Sequence, residues 1–146
     1  MIMDGLQIRA LEKRDAETIV KIHASITNVD DLATITKLVE DQSNKAENVS
    51  FVAEYNGSVI GYMISYTIYI GFGLNTSAWI TMMEVDPAYM GQGIGRKLAE
   101  EIFKVYKERG IKDVYSSVTW DSTDLLSFFK TLGFEKSNFI NLIKRL

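Results

Sequence analysis

Residues 85–97 read Val-Asp-Pro-Ala-Tyr-Met-Gly-Gln-Gly-Ile-Gly-Arg-Lys, and the rest of the chain is interpreted from this stretch. Its three glycines stand at alternate positions immediately before a helical pattern. Glycine lets the backbone approach a ligand closely, and the free N–H groups and the dipole at the start of a helix favour an anion. The stretch therefore predicts a backbone site for a phosphate-like group. The alternative is a glycine turn that only lets a helix leave a strand.

The glycine spacing differs from two common phosphate-binding loops. A dinucleotide-binding turn needs its third glycine one residue later than Gly95, and no Lys-Ser or Lys-Thr pair follows as it does in a P-loop. A nucleotide-binding domain that uses this turn remains only as a weaker alternative.

The segments on either side of the turn predict a strand–helix–strand unit. Residues 78–85 and 114–118 are strand-like, and residues 93–109 place apolar side chains on one helix face before Gly110. Such a unit makes the two strands parallel, with a right-handed crossover. Ligands of these sheets bind where strand ends meet helix N-termini, so the expected site lies at the glycines.

The remaining segments predict an α+β sheet protein. Asp15 stands where a helix N-cap is expected, Asn56-Gly57 is a strong hairpin turn, and residues 71–75 predict a loop. The order is strand, two helices, three strands, helix, strand, helix, strand, at residues 6–11, 16–26, 30 or 31 to 39, 50–55, 59–66, 78–85, 93–109, 114–118, 123–132 and 139–143.

Composition excludes several classes of protein. The chain has 146 residues, no cysteine, one histidine (His23) and one proline (Pro87), so disulfides and thiolate or histidine metal clusters are not expected. A net charge of −3 argues against a nucleic-acid-binding face. The N-terminal residues do not predict a secretory signal, and the longest apolar stretch falls short of the ~20 residues that span a bilayer. We therefore expect a single cytoplasmic domain without a metal, a membrane segment or a nucleic-acid partner.

The stretch from Val85 to Gly95, followed by a helix, resembles the Q/R-x-x-G-x-G/A signature of the GNAT family of N-acetyltransferases. The order of elements is similar too, and so is the helix that ends in Leu132-Gly133-Phe134. The resemblance covers nearly the whole chain. It implies one domain over residues 1–146 with the acyl-CoA N-acyltransferase fold: an α/β (α+β), mostly antiparallel mixed sheet, flanked by helices, whose central parallel pair of strands is splayed around the cofactor.

The resemblance also implies acetyl-coenzyme A as cosubstrate. Its pantetheine arm would bond to the backbone of Met83, Glu84 and Val85, and Ser122 would take the place of an asparagine that touches the cofactor in the family. The Arg96 side chain is expected either to reach a phosphate or to lie in solvent. The pyrophosphate would be held by the backbone amides of Gly91, Gln92, Gly93, Ile94, Gly95 and Arg96.

The reaction implied is direct acetyl transfer, in a ternary complex, to a primary amine. A protein N-terminus or a lysine is the favoured acceptor, and a small-molecule amine stays open. Lysine and terminal amines have reference pKa values near ~10.4 and ~7.7 to 8, so a proton must be accepted. Glu84 is the candidate base, directly or through a water. Its alternative is a polar residue on the outer face or at the strand end.

The sequence departs from the family pattern at several positions. Met90 replaces the usual Gln or Arg at the start of the turn, which removes one polar contact with the cofactor and leaves the backbone amides. Phe129 replaces the tyrosine that protonates the leaving thiolate, and Ser117 replaces a glutamate base of some relatives. These differences keep open a second interpretation, a non-catalytic module that binds or senses coenzyme A.

His23 lies on the first predicted helix, in the part of this fold that faces the acceptor. Its two interpretations are a catalytic group and a partly buried helix residue beside Ile22 and Ile26. The acceptor stays unidentified, and a homodimer is one candidate for the oligomeric state.

Overall fold

A computed structural model describes residues 3–69 and 75–146. It confirms the predicted order of elements up to the last helix, with 3-10 turns before α1 and α3. The loop expected at residues 71–75 lies, apart from Asn75, outside the described residues. The elements are β1 Gln7–Ala10, α1 Ala16–Thr27, α2 Leu32–Asn44, β2 Phe51–Tyr55, β3 Ser58–Ile68, β4 Ser77–Val85, α3 Ile94–Glu108, β5 Val114–Ser116 and α4 Thr123–Thr131.

The strands form one sheet in the order β1-β2-β3-β4-β5. The first four pair antiparallel with their neighbours, whereas β4 and β5 run parallel. The β2–β3 turn is closed by Asn56 and Gly57, whose φ angles of 49° and 79° match the twist of a hairpin. The predicted hairpin and the predicted parallel pair are both confirmed.

Helices cover both faces of the sheet and produce two apolar cores. Ile19 of α1 and Val39 of α2 pack against one face, and Leu98 of α3 packs against the other. Neighbouring residues of β3 serve both cores, because successive strand side chains point to opposite faces: Met63 joins the α3 core and Ile64 the α1–α2 core. The same alternation decides which face each β4 side chain reaches.

Asp15 occupies the N-cap position of α1, as predicted, but its side chain does not cap that helix. Its two carboxylate oxygens accept hydrogen bonds of 2.8 and 2.9 Å from the Arg9 guanidinium, which also contacts Glu54 at 2.7 Å. These contacts raise the pKa of Arg9, chiefly through the bond to Asp15. The ion pairs tie the start of α1 to β1 and β2.

The parallel pair β4–β5 is short and opens at one end. Its register ends at Ile80 opposite Ser116, where the Ser116 hydroxyl also donates to the Ile80 carbonyl at 2.9 Å. β4 continues to Val85, paired with β3 alone. The two parallel strands therefore separate, and the backbone edge of residues 81–85 is left without a strand partner in the described sheet.

The prediction of a last strand at residues 139–143 is wrong. These residues form no strand, and β5 is the final strand of the described sheet. β5 offers only three residues for pairing. The segment contacts β5 and the residue after it through side chains: Phe139 packs edge-on against Tyr115, and Asn141 Nδ2 donates to Ser117 Oγ at 3.0 Å. Ile140 and Leu142, which would share one face of such a strand, are 81% and 88% exposed, so that face is not buried against the sheet.

Among the described residues, no helix is long and apolar enough to cross a membrane.

Candidate active site

The exit from β4 is fixed by its own backbone and by the chain's single proline. The Asp86 N–H donates to the Ile60 carbonyl at 2.8 Å, and an Asp86 carboxylate oxygen accepts from the Ala88 N–H at 2.9 Å. Pro87 begins the short 3-10 turn that follows, a position where its missing N–H costs nothing. The chain therefore leaves the sheet in one defined direction before it reaches the glycines.

The three glycines of the turn have two different roles. Gly91 and Gly93 both have a φ of 80°, in the left-handed region, and Gly93 is the N-cap of α3. Gly95 lies inside the first helical turn, where a Cβ would come within 3.1 Å of the Phe128 ring and 3.2 Å of Met83 Sδ. Two glycines thus shape the turn, and the third allows α3 to pack closely on α4 and β4.

Six consecutive backbone N–H groups around the start of α3 donate no hydrogen bond within the part of the chain that the structure describes. The helix dipole adds a positive partial charge at the same place. Free donors of this kind fit an anionic group such as a phosphate. They belong to Gly91, Gln92, Gly93, Ile94, Gly95 and Arg96, which are referred to here as the amide cradle.

The guanidinium of Arg96 has partners within the protein and is therefore not a free phosphate ligand. Its guanidinium donates to the Thr131 carbonyl at 2.9 Å and lies 3.9 Å from the Glu100 carboxylate. The side chain is about half exposed, and its bond to Thr131 connects α3 to the end of α4. Only the backbone N–H of Arg96 belongs to the amide cradle.

A small cavity of about 60 Å³ lies where β4 and β5 separate. Met83, Ser117 and Phe129 are among its lining residues, so it runs from the free edge of β4 to α4. A larger open groove of about 550 Å³ lies beside Phe103 and Gly110. That groove is at the opposite end of α3, about 20 Å from the amide cradle given 1.5 Å per helical residue.

Glu84 points to the opposite face of the sheet from Met83 and is covered by α1. Its side chain is only 12% exposed, which excludes an outer, solvated position. His23 Nδ1 lies 2.8 Å from Glu84 Oε1, and the Tyr62 hydroxyl donates to the same oxygen. The structure therefore brings His23, Glu84 and Tyr62 together in one hydrogen-bonded cluster.

Tyr62 is fully buried and stands directly opposite Glu84 in the β3–β4 register. Burial, reinforced by the adjacent carboxylate, raises the pKa of Tyr62 well above its ordinary value. The phenol therefore stays protonated and acts as a hydrogen-bond donor to Glu84. Sequence reasoning did not find this role, because a tyrosine in a strand carries no local signal of its cross-strand partner.

Of the remaining sequence-predicted positions, Phe129 lines the small cavity, whereas Ser122 and Met90 lie outside its lining. Ser122 is the N-cap of α4, and its hydroxyl lies 2.6 Å from the Thr119 hydroxyl. Phe129 is buried against Phe134 in the α3 core, whereas Met90 is exposed beside the amide cradle. No cluster of three or more metal-ligating side chains occurs in residues 3–69 and 75–146.

Comparison with known proteins identifies a family. Residues 14–134 match the model of the acetyltransferase (GNAT) family. N-alpha-acetyltransferase 30 of Schizosaccharomyces pombe is 33% identical over 85 residues, which are 58% of this chain and 56% of that protein. The chain spans about half the length of the curated relatives it matches.

Two solved structures have the same fold. Aminoglycoside N-acetyltransferase AAC(6')-Iy, in complex with CoA, superposes with a TM-score of 0.83 at 17% identity and 99% coverage of both chains. Ribosomal-protein-alanine N-acetyltransferase from Brucella melitensis gives 0.77 at 16% identity, covering 97% of this chain and 99% of its own. Because the family model covers most of the sequence, this chain belongs to the acetyltransferase (GNAT) family.

Proposed function

We propose that the chain is an acetyl-coenzyme A-dependent N-acetyltransferase that acts on a primary amine by direct transfer in a ternary complex. One observation carries this proposal: six backbone N–H groups without a partner among the described residues lie just beyond the end of a strand whose outer edge is open in the described sheet. In a member of the acetyltransferase family, that arrangement offers donors both for a pyrophosphate and for an extended arm laid along β4.

The described residues fit acetyl-coenzyme A as cosubstrate. The amide cradle would hold the pyrophosphate, the backbone of Met83, Glu84 and Val85 would bond to the pantetheine arm, and the Ser122 hydroxyl would add a polar contact. When bound, the cosubstrate supplies an acetyl group activated as a thioester. The CoA complex of the aminoglycoside acetyltransferase, which shares the fold, supports this assignment.

Glu84 is proposed as the group that takes the proton of the acceptor amine, directly or through a water. An amine attacks only with its lone pair free, and amines of this class are largely protonated at neutral pH. Backbone N–H groups near Val85 are proposed to stabilise the oxyanion that forms. Phe129 has no proton to donate to the leaving group, so water is expected to supply that proton.

A protein N-terminus or a lysine is the proposed acceptor. Two relatives support it by name, the N-alpha-acetyltransferase of S. pombe and the ribosomal-protein-alanine acetyltransferase of B. melitensis. The aminoglycoside enzymes support a small-molecule amine as the alternative. A homodimer, a cytoplasmic location and the lack of a nucleic-acid partner stay predictions.

A non-catalytic module that binds or senses coenzyme A is the second candidate. It is favoured by one observation, the buried Phe129 at the position where the family pattern has a proton-donating tyrosine. Both candidates bind coenzyme A, but only the enzyme transfers the acetyl group and releases the free thiol. A single assay therefore separates them.

The assay is the release of free thiol from acetyl-coenzyme A in the presence of peptides with free N-termini, lysine peptides, polyamines and aminoglycosides. We expect thiol release with at least one amine, and Glu84→Gln should lower kcat about a hundredfold or more, since general base catalysis contributes 10²–10⁴-fold. Binding of coenzyme A should be unchanged in this variant, because the new amide side chain keeps an oxygen for the bonds from His23 and Tyr62.

Glu100→Gln, an exposed carboxylate on α3, is the matched control and should have wild-type turnover. Tight binding without thiol release from any amine would favour the binding module. Binding of ATP or NAD in place of coenzyme A would contradict both candidates.

A further inference from the structure

Between α1 and the sheet, two polar side chains, one from α1 and one from β3, meet on a single carboxylate oxygen of a β4 residue. His23 from α1 lies 2.8 Å from Glu84 Oε1 through Nδ1, and Tyr62 from β3 donates its hydroxyl to the same atom. The His23 and Glu84 side chains are 21% and 12% exposed. The cluster is therefore mostly covered by the fold but still partly accessible to solvent.

The two bonds leave the two oxygens of Glu84 unequal. Oε1 is occupied by both donors, whereas Oε2 makes no hydrogen bond with the described part of the protein. A carboxylate without hydrogen-bond partners rotates easily about its last torsion angle, because the distribution of that angle is broad. Two donors from opposite elements hold that torsion and direct the free oxygen to a single place.

Each donor is suited to holding an ionised carboxylate. Burial keeps Tyr62 protonated, so it always donates. An imidazole beside a carboxylate oxygen carries its hydrogen on the facing nitrogen, here Nδ1, because an unprotonated Nδ1 would place two lone pairs against each other. Within the described residues, no side chain besides His23 and Tyr62 hydrogen-bonds to the Glu84 carboxylate.

We propose that His23 and Tyr62 are positioning residues, which fix the Glu84 carboxylate with Oε2 directed to the acceptor amine. This inference rests on the proposed function, in which Glu84 takes the proton. In that step an N–H bond of the ammonium breaks, its electron pair stays on nitrogen, and a new O–H bond forms on Oε2. The proton leaves later to water. His23 Nδ1 and the Tyr62 hydroxyl keep their own hydrogens throughout.

Turnover of four variants tests the proposal. His23→Leu and Tyr62→Phe each remove one donor, and we expect kcat to fall about tenfold to a hundredfold, the size of effect that follows from misplacing a catalytic group by about 1 Å. His23→Asn keeps an amide N–H near the place of Nδ1, and its kcat should stay within about threefold of wild type on the same grounds. Tyr66→Phe, on the same strand, is the control and should be unchanged.

The KM for acetyl-coenzyme A should stay the same in all four variants, because the amide cradle lies on other elements. Wild-type kcat in both His23→Leu and Tyr62→Phe would overturn the proposal. So would a His23→Asn variant as inactive as His23→Leu, since the imidazole itself would then handle the proton.

A second readout needs neither cofactor nor turnover. His23 is the only histidine, so its ring nitrogens give a single set of ¹⁵N resonances. We expect the Nδ1–H tautomer in the wild type, and its loss in Glu84→Ala. The Nε2–H tautomer in the wild type would overturn the proposal even if the enzyme is active. If no amine is acetylated, the proposed function fails while the tautomer still reports on the cluster.

Discussion

Gly93 and Gly95 are two residues apart in one motif, yet different physical demands require each of them. Gly93 has a φ of 80°, which L side chains rarely adopt. Gly95 has ordinary helical geometry, but a Cβ there would lie only 3.1 Å from ring atoms of Phe128. Substitutions at the two positions should therefore damage different properties: ligand binding at Gly93 and packing at Gly95.

Gly93→Asp is predicted to weaken the binding of coenzyme A about a hundredfold. The change adds a carboxylate to the amide cradle and strains its backbone, and losing charge-assisted hydrogen bonds worth about 3 kcal/mol corresponds to that factor. Isothermal titration with coenzyme A measures it. Unchanged affinity in Gly93→Asp would move the site elsewhere.

Two variants separate charge from strain in this measurement. Gly93→Asn has nearly the same shape without the charge, and asparagine tolerates a positive φ, so it should retain more affinity than Gly93→Asp. Gly110→Asp places the same side chain at a φ of 78° beyond the far end of α3. It should bind coenzyme A like the wild type.

The sequence was informative about some residues of the site and silent about others. The glycine turn before α3 was predictable because glycines at alternate positions before a helical pattern are a local signal. The partners of Glu84 were not, because His23 and Tyr62 are 61 and 22 residues away from it. Their meeting depends on the β3–β4 register, which shifts between Ile64 and Ser65.

At the scale of elements, α3 joins the turn to the rest of the fold. Its first turn packs against Met83 of β4 and Phe128 of α4. Both side chains lie next to the position that a Cβ at residue 95 would occupy. The amide cradle is held in place by this packing. A side chain at Gly95 would push α3 away from the strand that carries Glu84.

Gly95→Val is accordingly predicted to lower the free energy of unfolding by about 1 to 3 kcal/mol, the usual cost of overpacking. The gain in helix propensity over glycine, under about 1 kcal/mol, offsets only part of it. Urea denaturation measures the difference. Glu100→Val, exposed on the same helix, is the control and should cost less. Equal losses in the two variants would contradict the packing role.

Helices and strands were predictable where their sequence signals are local. The dependence on local signals also explains why the predicted strand at residues 139–143 was wrong. The Asn56-Gly57 hairpin and the α3 stripe follow from short-range patterns. Residues 139–143 have strand-like composition, but a strand also needs a partner, and β5 ends after three residues. Composition alone contains no information on that length.

Over the whole molecule, the sheet separates the two groups of residues on which the proposed function depends. The amide cradle begins α3, which packs on one face, and Glu84 with His23 lies on the face covered by α1. The two meet only at the end of β4, where β5 has already diverged. A cosubstrate entering from one side and an amine from the other would thus converge on residues 83–85. This arrangement suits direct transfer, with no residue needed to carry the acetyl group.

The most direct test of acetyl transfer is the mass of both partners after incubation of the protein with acetyl-coenzyme A and an amine that supports thiol release. We predict one acetyl group on the amine for each thiol released, and no acetyl group on the protein. An unmodified amine, or an acetylated protein that passes its acetyl group to the amine in a second step, would contradict the account.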